Sequence, residues 1–142
     1  MRRVAAVSAA LVVAAAGSGG VASAEATPQQ VVRAWSKALN ANHNDAAARL
    51  FAPNARVLQG GYELLLKTHA VAAAFNAGLP CSGRILELRV HGNSVLATFR
   101  LGERPKHRCD APGQKAAAVF VVRHGKIALW EQVPVPAPGP TA

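Results

Sequence analysis

Few side chains in this sequence have the types and spacing that acid–base, nucleophilic or metal chemistry needs. The five histidines are spread singly, and no two have the i, i+4 spacing by which a helix presents two metal ligands on one face. No phosphate-binding loop, dinucleotide fingerprint or Ser-His-Asp order is present. We therefore expect neither a metal ion nor a cofactor. His69, at the start of a predicted helix, could line a pocket, and a surface position there is the competing interpretation.

The two cysteines, Cys81 and Cys109, are the next candidates for chemistry. Neither belongs to a C-x-x-C motif, so a redox centre or a zinc knuckle is not supported. Two cysteines in an exported chain usually pair. Hairpin pairing of the strands between them would also bring both to the same end of a sheet. We predict a Cys81–Cys109 disulfide.

The N-terminus predicts export. Arg2 and Arg3 precede an apolar stretch, residues 4–16, and Ala22-Ser23-Ala24 fits a cleavage site. Residues 1–24 are thus a predicted signal peptide, and the expected location is secreted or extracytoplasmic. The apolar stretch is too short for a membrane span of about 20 residues, so we expect no membrane association after cleavage.

The chain is strongly basic, with 16 Lys and Arg against 7 Asp and Glu. Loss of Arg2 and Arg3 would lower the formal net charge from +9 to +7. Most basic residues are isolated from one another. The one dense stretch, residues 104–108, contains no aromatic residue on which a base could stack. It is predicted to be a solvated loop, and no nucleic-acid partner is expected.

The length of 142 residues favours a single domain whose first half is helical. Thr27, Pro28 and Gln30 fit an N-cap, a first helical position and a capping box. Apolar residues then recur at helical spacing as far as Leu39. Two shorter helices are predicted at 46–51, with Asp45 as N-cap and Pro53 beyond its end, and at 69–77, with Gly78 at C′.

Extended segments dominate the second half. Strands are predicted at 54–58, 62–67, 84–91, 94–103, 115–123 and 126–133, with hairpin turns at Gly92-Asn93 and His124-Gly125. The first of these turns would place Val90 opposite Val95 and Leu86 opposite Phe99 on one face. The last two strands are apolar on both sides and are predicted to lie at the centre of the sheet. Residues 134–142 alternate proline with small residues and are predicted to form a disordered tail.

Two segments resemble the nuclear transport factor 2-like superfamily, which includes SnoaL-like polyketide cyclases, ketosteroid isomerases and limonene epoxide hydrolases. The first comprises residues 31–40 (VVRAWSKALN), Asp45 and residues 50–57 (LFAPNARV). The second is residues 125–131 (GKIALWE). The resemblance spans about 27–133. It implies an α+β, cone-shaped fold over 25–133, with three N-terminal helices packed on a curved, mainly antiparallel sheet around a pocket. It also implies a homodimer as one expected state.

The same resemblance argues against the known reactions of the superfamily. Ketosteroid isomerases need a carboxylate base, and the matching position holds Gln59, which cannot take a proton at neutral pH. Trp35 occupies the position of their tyrosine donor. Limonene epoxide hydrolases use an Asp-Arg-Asp arrangement. Arg100 matches the arginine, but Gln132 and Gly102 stand where the carboxylates belong.

We therefore expect a non-catalytic binding module that holds a small apolar ligand, or a partner, in the cone. An isomerase, cyclase or hydratase with an unrecognised site is the alternative, and a domain whose pocket is filled by its own side chains is a third. A dry, apolar cavity would favour binding, and several convergent polar groups would favour an enzyme. The candidate pocket residues are Trp35, Gln59, His69, Phe75, Arg100, Trp130 and Gln132.

Overall fold

The computed structural model describes residue 17 and residues 24–138. The helices are α1 (Pro28–Asn40), α2 (Asn44–Ala48) and α3 (His69–Gly78). The strands are β1 (Phe51–Gln59), β2 (Tyr62–Leu66), β3 (Ser82–His91), β4 (Ser94–Gly102), β5 (Lys115–Arg123) and β6 (Lys126–Val133). Apart from residues 17 and 24, the predicted signal peptide lies outside the described residues, as do residues 139–142 of the predicted tail. No helix within the described residues is long and apolar enough to cross a membrane.

The six strands form one sheet in the order β2-β1-β6-β5-β4-β3. β1 runs parallel to β6, and every other neighbouring pair is antiparallel. β5 and β6 occupy the centre, as their two-sided apolar pattern predicts. The helices lie against one face of the sheet, which we call the inner face. The α+β architecture expected from the sequence is confirmed.

Helix α1 carries the side chains that join the helices to the sheet. Thr27 and Gln30 form the predicted capping box, and Pro28 begins the helix. The Trp35 ring packs edge-on against Phe99 and Phe120, with ring centroids 6.3 and 5.2 Å apart. Such aromatic pairs add packing energy beyond the burial of their area. They fix α1 over the middle of the sheet.

The boundary between α2 and β1 differs from the prediction. α2 ends at Ala48, its N-cap is His43, and Asp45 lies in its first turn. Phe51 already belongs to β1, where it is paired with Ile127 of β6 and is 7% exposed. This tertiary pairing outweighs the local helical pattern. Pro53 does not end a helix; it lies where the β1–β6 register shifts, so its missing N–H removes no regular ladder bond.

Two further predictions are wrong by about one residue. A bulge in β3 leaves Leu86 without a partner and 39% exposed, so Ile85 rather than Leu86 lies opposite Phe99. Val90 and Val95 pair as predicted. Gly78 is the last residue of α3 rather than its C′ residue, and the extended backbone of Leu79 ends the helix.

The predicted disulfide is present. Cys81 and Cys109 are bonded, with Cα atoms 4.5 Å apart, well inside the roughly 7 Å limit for bridging. The bond ties the residue before β3 to the loop that follows β4. The disulfide therefore holds together the open end of the β3–β4 hairpin, opposite its turn.

Candidate functional site

A cavity of about 240 Å³ lies between α1 and the inner face of the sheet. Three residues on one side of α1 form its helical wall: Trp35, Ser36 and Leu39. Sheet residues form the floor. The segment between α3 and β3, together with Asp110 of the loop between β4 and β5, forms the rim. The lining residues of the sheet and rim are Gln59, Leu79, Pro80, Cys81, Ser82, Gly83, Phe99, Leu101, Asp110, Ala116, Ala117, Ala118, Trp130 and Gln132.

The helical wall is held by hydrogen bonds that local sequence patterns do not reveal. Trp35 Nε1 donates to Asn76 Oδ1 of α3 over 2.8 Å, and Asn76 is fully buried. Asn76 in turn donates to the carbonyl oxygen of Ala72. The Trp35 indole N–H is thereby satisfied within the protein, so this ring contributes apolar surface to the cavity.

The end of α1 is clamped to the edge strand β3. Asn40 accepts a hydrogen bond from the Gly83 N–H over 2.8 Å and donates to the Gly83 carbonyl over 3.0 Å. Ser36 Oγ donates to the same carbonyl oxygen over 3.0 Å. A Cβ at Gly83 would come within 3.0 Å of the Phe99 ring, so a larger residue would press into the cavity floor. These contacts set the distance between the helical wall and the sheet.

Two glutamines line the cavity at the end of the sheet. Gln59 and Gln132 each follow directly after the Leu58–Glu131 pair of β1 and β6, so they are neighbours on the inner face. Both are exposed, and neither side chain hydrogen-bonds to another protein group among the described residues. Their amides can donate and accept hydrogen bonds. They cannot take up or release a proton near neutral pH.

The rim carries the disulfide and one carboxylate. Asp110 Oδ1 lies 3.4 Å from Cys81 Sγ. A disulfide sulfur has no proton to donate, so this is a contact and not a hydrogen bond. Cys81, Cys109 and Asp110 are close enough together to suggest a metal-ligand set. Bonding between the two sulfurs leaves no thiolate for a metal, so the arrangement does not fit one.

The structure brings four of the seven candidate residues together. Trp35, Gln59, Trp130 and Gln132 all line the cavity. Whether they bind a ligand stays a prediction.

Three other candidates lie elsewhere. Arg100 lies on the opposite face of the sheet and donates to the Gly113 carbonyl oxygen. His69 is exposed and is bonded to Asp45, where it lowers the pKa of that carboxyl. Phe75 packs in the core against Phe51 and Trp130.

Sequence reasoning missed Arg104, which we predicted to lie in a solvated loop. Arg104 is 3% exposed. Its guanidinium donates to the carbonyl oxygens of Asn76 and Leu79 and to the side-chain oxygens of Asn42 and Asn44. Burial lowers its pKa from the usual arginine value. These bonds hold the end of α3, and with it the rim residue Leu79. No local pattern marks this role, since Arg104 sits among other basic residues.

Sequence comparison identifies the family. A three-helix, six-strand cone with a cavity under its first helix defines a nuclear transport factor 2-like fold. The profile of the SnoaL-like domain matches residues 32–130, and the chain belongs to this family. The match includes α1 from its second turn and ends at Trp130, so it contains most of the cavity. No curated protein matches the sequence significantly.

Solved structures share the fold at low sequence identity. A nuclear transport factor 2-like protein of unknown function from Cytophaga hutchinsonii is 13% identical, with a TM-score of 0.64 over 78% of this chain and 91% of its own. A proposed polyketide cyclase from Sinorhizobium meliloti is 21% identical, with a TM-score of 0.59 over 72% and 93%. A ketosteroid isomerase-like protein from Catenulispora acidiphila, solved in complex with trimethylamine, is 17% identical, with a TM-score of 0.62 over 77% and 87%.

Proposed function

We propose that this protein is an exported binding module that holds a small, largely apolar ligand in the cavity beneath α1. The observation that carries the proposal is the lining. Aromatic rings, alanines and leucines form most of it, and Asp110 is the one ionisable side chain that the described residues contribute. Ligand pockets are mostly apolar, with a few polar groups that orient the ligand. Here Gln59 and Gln132 would supply those groups.

The lining gives little support to proton-transfer chemistry. General acid–base catalysis needs a titratable group placed against the reacting atoms. Gln59 and Gln132 stand at positions where the resemblance requires carboxylates. The isomerase, cyclase or hydratase alternative would have to rely on Asp110 alone. The related proteins include a proposed cyclase, so turnover is one outcome that the test below must be able to detect.

Export completes the proposal. A disulfide persists in oxidising compartments, and one is present here. The predicted signal peptide would be removed after Ala24, leaving residues 25–142. Intact-mass measurement of secreted protein is expected to give this mature chain, and a chain that still begins at Met1 would contradict it.

Ligand extraction tests the binding function. Protein secreted by its native host would be purified, denatured, extracted with organic solvent and analysed by mass spectrometry. We expect a small molecule at a stoichiometric level. Chemically altered products that accumulate when the protein is incubated with the extracted molecule would favour the enzyme alternative instead.

A matched pair of variants locates the binding. Ala116→Leu adds volume at a partly exposed lining position on the inner face of β5, whereas Ala34→Leu makes the same change on the exposed side of α1, outside the lining. We expect the first variant to lose the extracted molecule and the second to keep it. Equal retention by both variants, or no molecule from the unaltered protein, would contradict the proposal.

A further inference from the structure

We infer that the ligand of this cavity is a small organic cation, an alkylated ammonium whose charged head lies at the Asp110 rim and whose apolar groups lie against the aromatic walls. The inference rests on the proposed binding function and names the class of ligand. Three features of this chain support it: the negative charge of the rim, the position of the nearby basic side chains outside the cavity, and the aromatic residues of the walls.

The rim is acidic. Asp110 is the only lining residue that can carry a charge, and it forms no ion pair among the described residues. A second carboxylate lies beside the same disulfide, because Glu103 accepts the Cys109 N–H over 3.0 Å. An anionic ligand would meet these carboxylates without a compensating cation, and a cationic ligand would be attracted to them.

The basic residues of the neighbouring strands are kept away from the cavity, although the chain has an excess of positive charge. Arg84, Arg100 and Lys115 occupy one rung of β3, β4 and β5 on the outer face. Arg100 is bonded to the Gly113 carbonyl. Arg104 is buried and donates to carbonyl and amide oxygens.

Lys106 and Arg108 stay exposed on the same loop as Asp110 but line no part of the cavity. The lining itself therefore presents a negative charge and no positive one within the described residues.

The walls suit an alkylated cation. Trp35, Phe99 and Trp130 line the cavity, and Trp35 packs against both other rings with centroids 6.3 and 6.4 Å away. Aromatic faces attract quaternary ammonium groups, with tryptophan the most effective. The cavity of about 240 Å³ lies just below the roughly 300–1,000 Å³ usual for ligand pockets, so the ligand is small.

Two isosteric probes separate charge from shape. Choline and 3,3-dimethylbutan-1-ol differ in that a nitrogen carrying a positive charge replaces a neutral carbon. We expect choline to bind about fivefold or more tightly than the neutral alcohol in calorimetric or NMR titrations, since an exposed ion pair and a cation–π contact each contribute modestly. The anion 3,3-dimethylbutanoate should bind weakest.

Variants assign the effect to the rim. Asp110→Asn is expected to reduce the preference for choline over the neutral alcohol by about threefold or more, because it removes the lining charge and keeps the side-chain shape. Glu131→Gln is the matched control: it removes one negative charge from the outer face of β6, outside the lining, and it should change the preference less than twofold.

The outcomes distinguish this inference from the proposed function. Equal binding of choline and the neutral alcohol would overturn the cation and leave an apolar binding module standing. Preference for the anion, or a choline preference that Asp110→Asn does not change, would also overturn it. If none of the probes binds, the inference fails, and the extraction experiment decides the binding function on its own.

Discussion

Arg104 shows how a single residue can hold the cavity rim without lining it. Its guanidinium is buried and is hydrogen-bonded to four oxygen atoms, and among the described residues none of its partners is a carboxylate. Two of these are carbonyl oxygens at the end of α3, where the helix dipole favours positive charge. The arginine therefore satisfies the helix terminus and fixes Leu79, from which the rim continues to Cys81.

We predict that Arg104→Ala lowers the free energy of unfolding by about 2–4 kcal/mol, because it removes the donor of four hydrogen bonds and leaves the Leu79 carbonyl and the Asn44 side-chain oxygen without a partner among the described residues. Chemical denaturation of the variant measures this loss. Arg108→Ala, which removes the same charge from an exposed position in the same loop, is the control and should change the value by less than about 0.5 kcal/mol. Equal effects of the two substitutions would show that the bonds of Arg104 are unimportant for stability.

At the residue scale, the sequence could predict a candidate lining residue only where a local pattern marks it. Trp35 belongs to an apolar helical face, and Trp130 lies in a strand with the family motif. Asn40 and Arg104 could not be predicted in this way. Asn40 meets Gly83 across 43 positions of sequence, and Arg104 meets Asn76 across 28. Such polar contacts depend on how the elements pack.

At the element scale, boundaries were predictable where local chemistry determines them. The capping box begins α1, and the His124-Gly125 turn, in which both residues have positive φ, correctly bounds β5 and β6. The α2–β1 boundary and the Leu86 bulge were not predictable. Both depend on cross-strand partners, because Phe51 joins β1 by pairing with β6.

The disulfide is the covalent link between elements, and it carries the second prediction. The double variant Cys81→Ser/Cys109→Ser should lose about 3–4 kcal/mol of stability, the amount that the chain-entropy model assigns to a loop of this size. Thermal unfolding measures the change. A reducing agent should lower the melting temperature of the unaltered protein and leave that of the variant unchanged. A melting temperature that is insensitive to full reduction, verified by counting free thiols, would contradict the stabilising role.

At the scale of the whole molecule, the described residues leave the outer face of the sheet uncovered, and we propose that two copies associate through it. Partly exposed Leu96, Val119, Val121 and Leu129 lie on the outer face of the central strands. Light scattering coupled to size-exclusion chromatography is expected to give a dimer mass, and Val119→Lys to give a monomer. Ala34→Lys, the same charge added on the exposed side of α1, should stay dimeric. A monomer at high protein concentration would contradict this prediction.

Charge acts on the molecule as a whole, and it makes the stability of the fold sensitive to acid. Three exposed carboxyls have a pKa below the usual range. The His69 hydrogen bond is the main cause at Asp45, and arginine partners are the cause at Glu63 and Glu87. Because the unfolded chain takes up protons at higher pH than these folded carboxyls, their stabilisation is fully present above the ordinary carboxyl range of about pH 4. It is lost as pH falls through the lowered values.

Protonation of these carboxyls also leaves the positive charges of the chain without compensation, so self-repulsion adds to the loss. We therefore predict that the melting temperature decreases as the pH is lowered past about 4. The decrease should be less steep in the triple variant Asp45→Asn/Glu63→Gln/Glu87→Gln. Arg56→Gln and Arg89→Gln remove the partners instead of the carboxyls and return the pKa values of Glu63 and Glu87 towards normal. They should therefore also make the decrease of the melting temperature at low pH less steep. If the melting temperature of the triple variant falls with pH as steeply as that of the unaltered protein, other groups determine the acid stability of the domain.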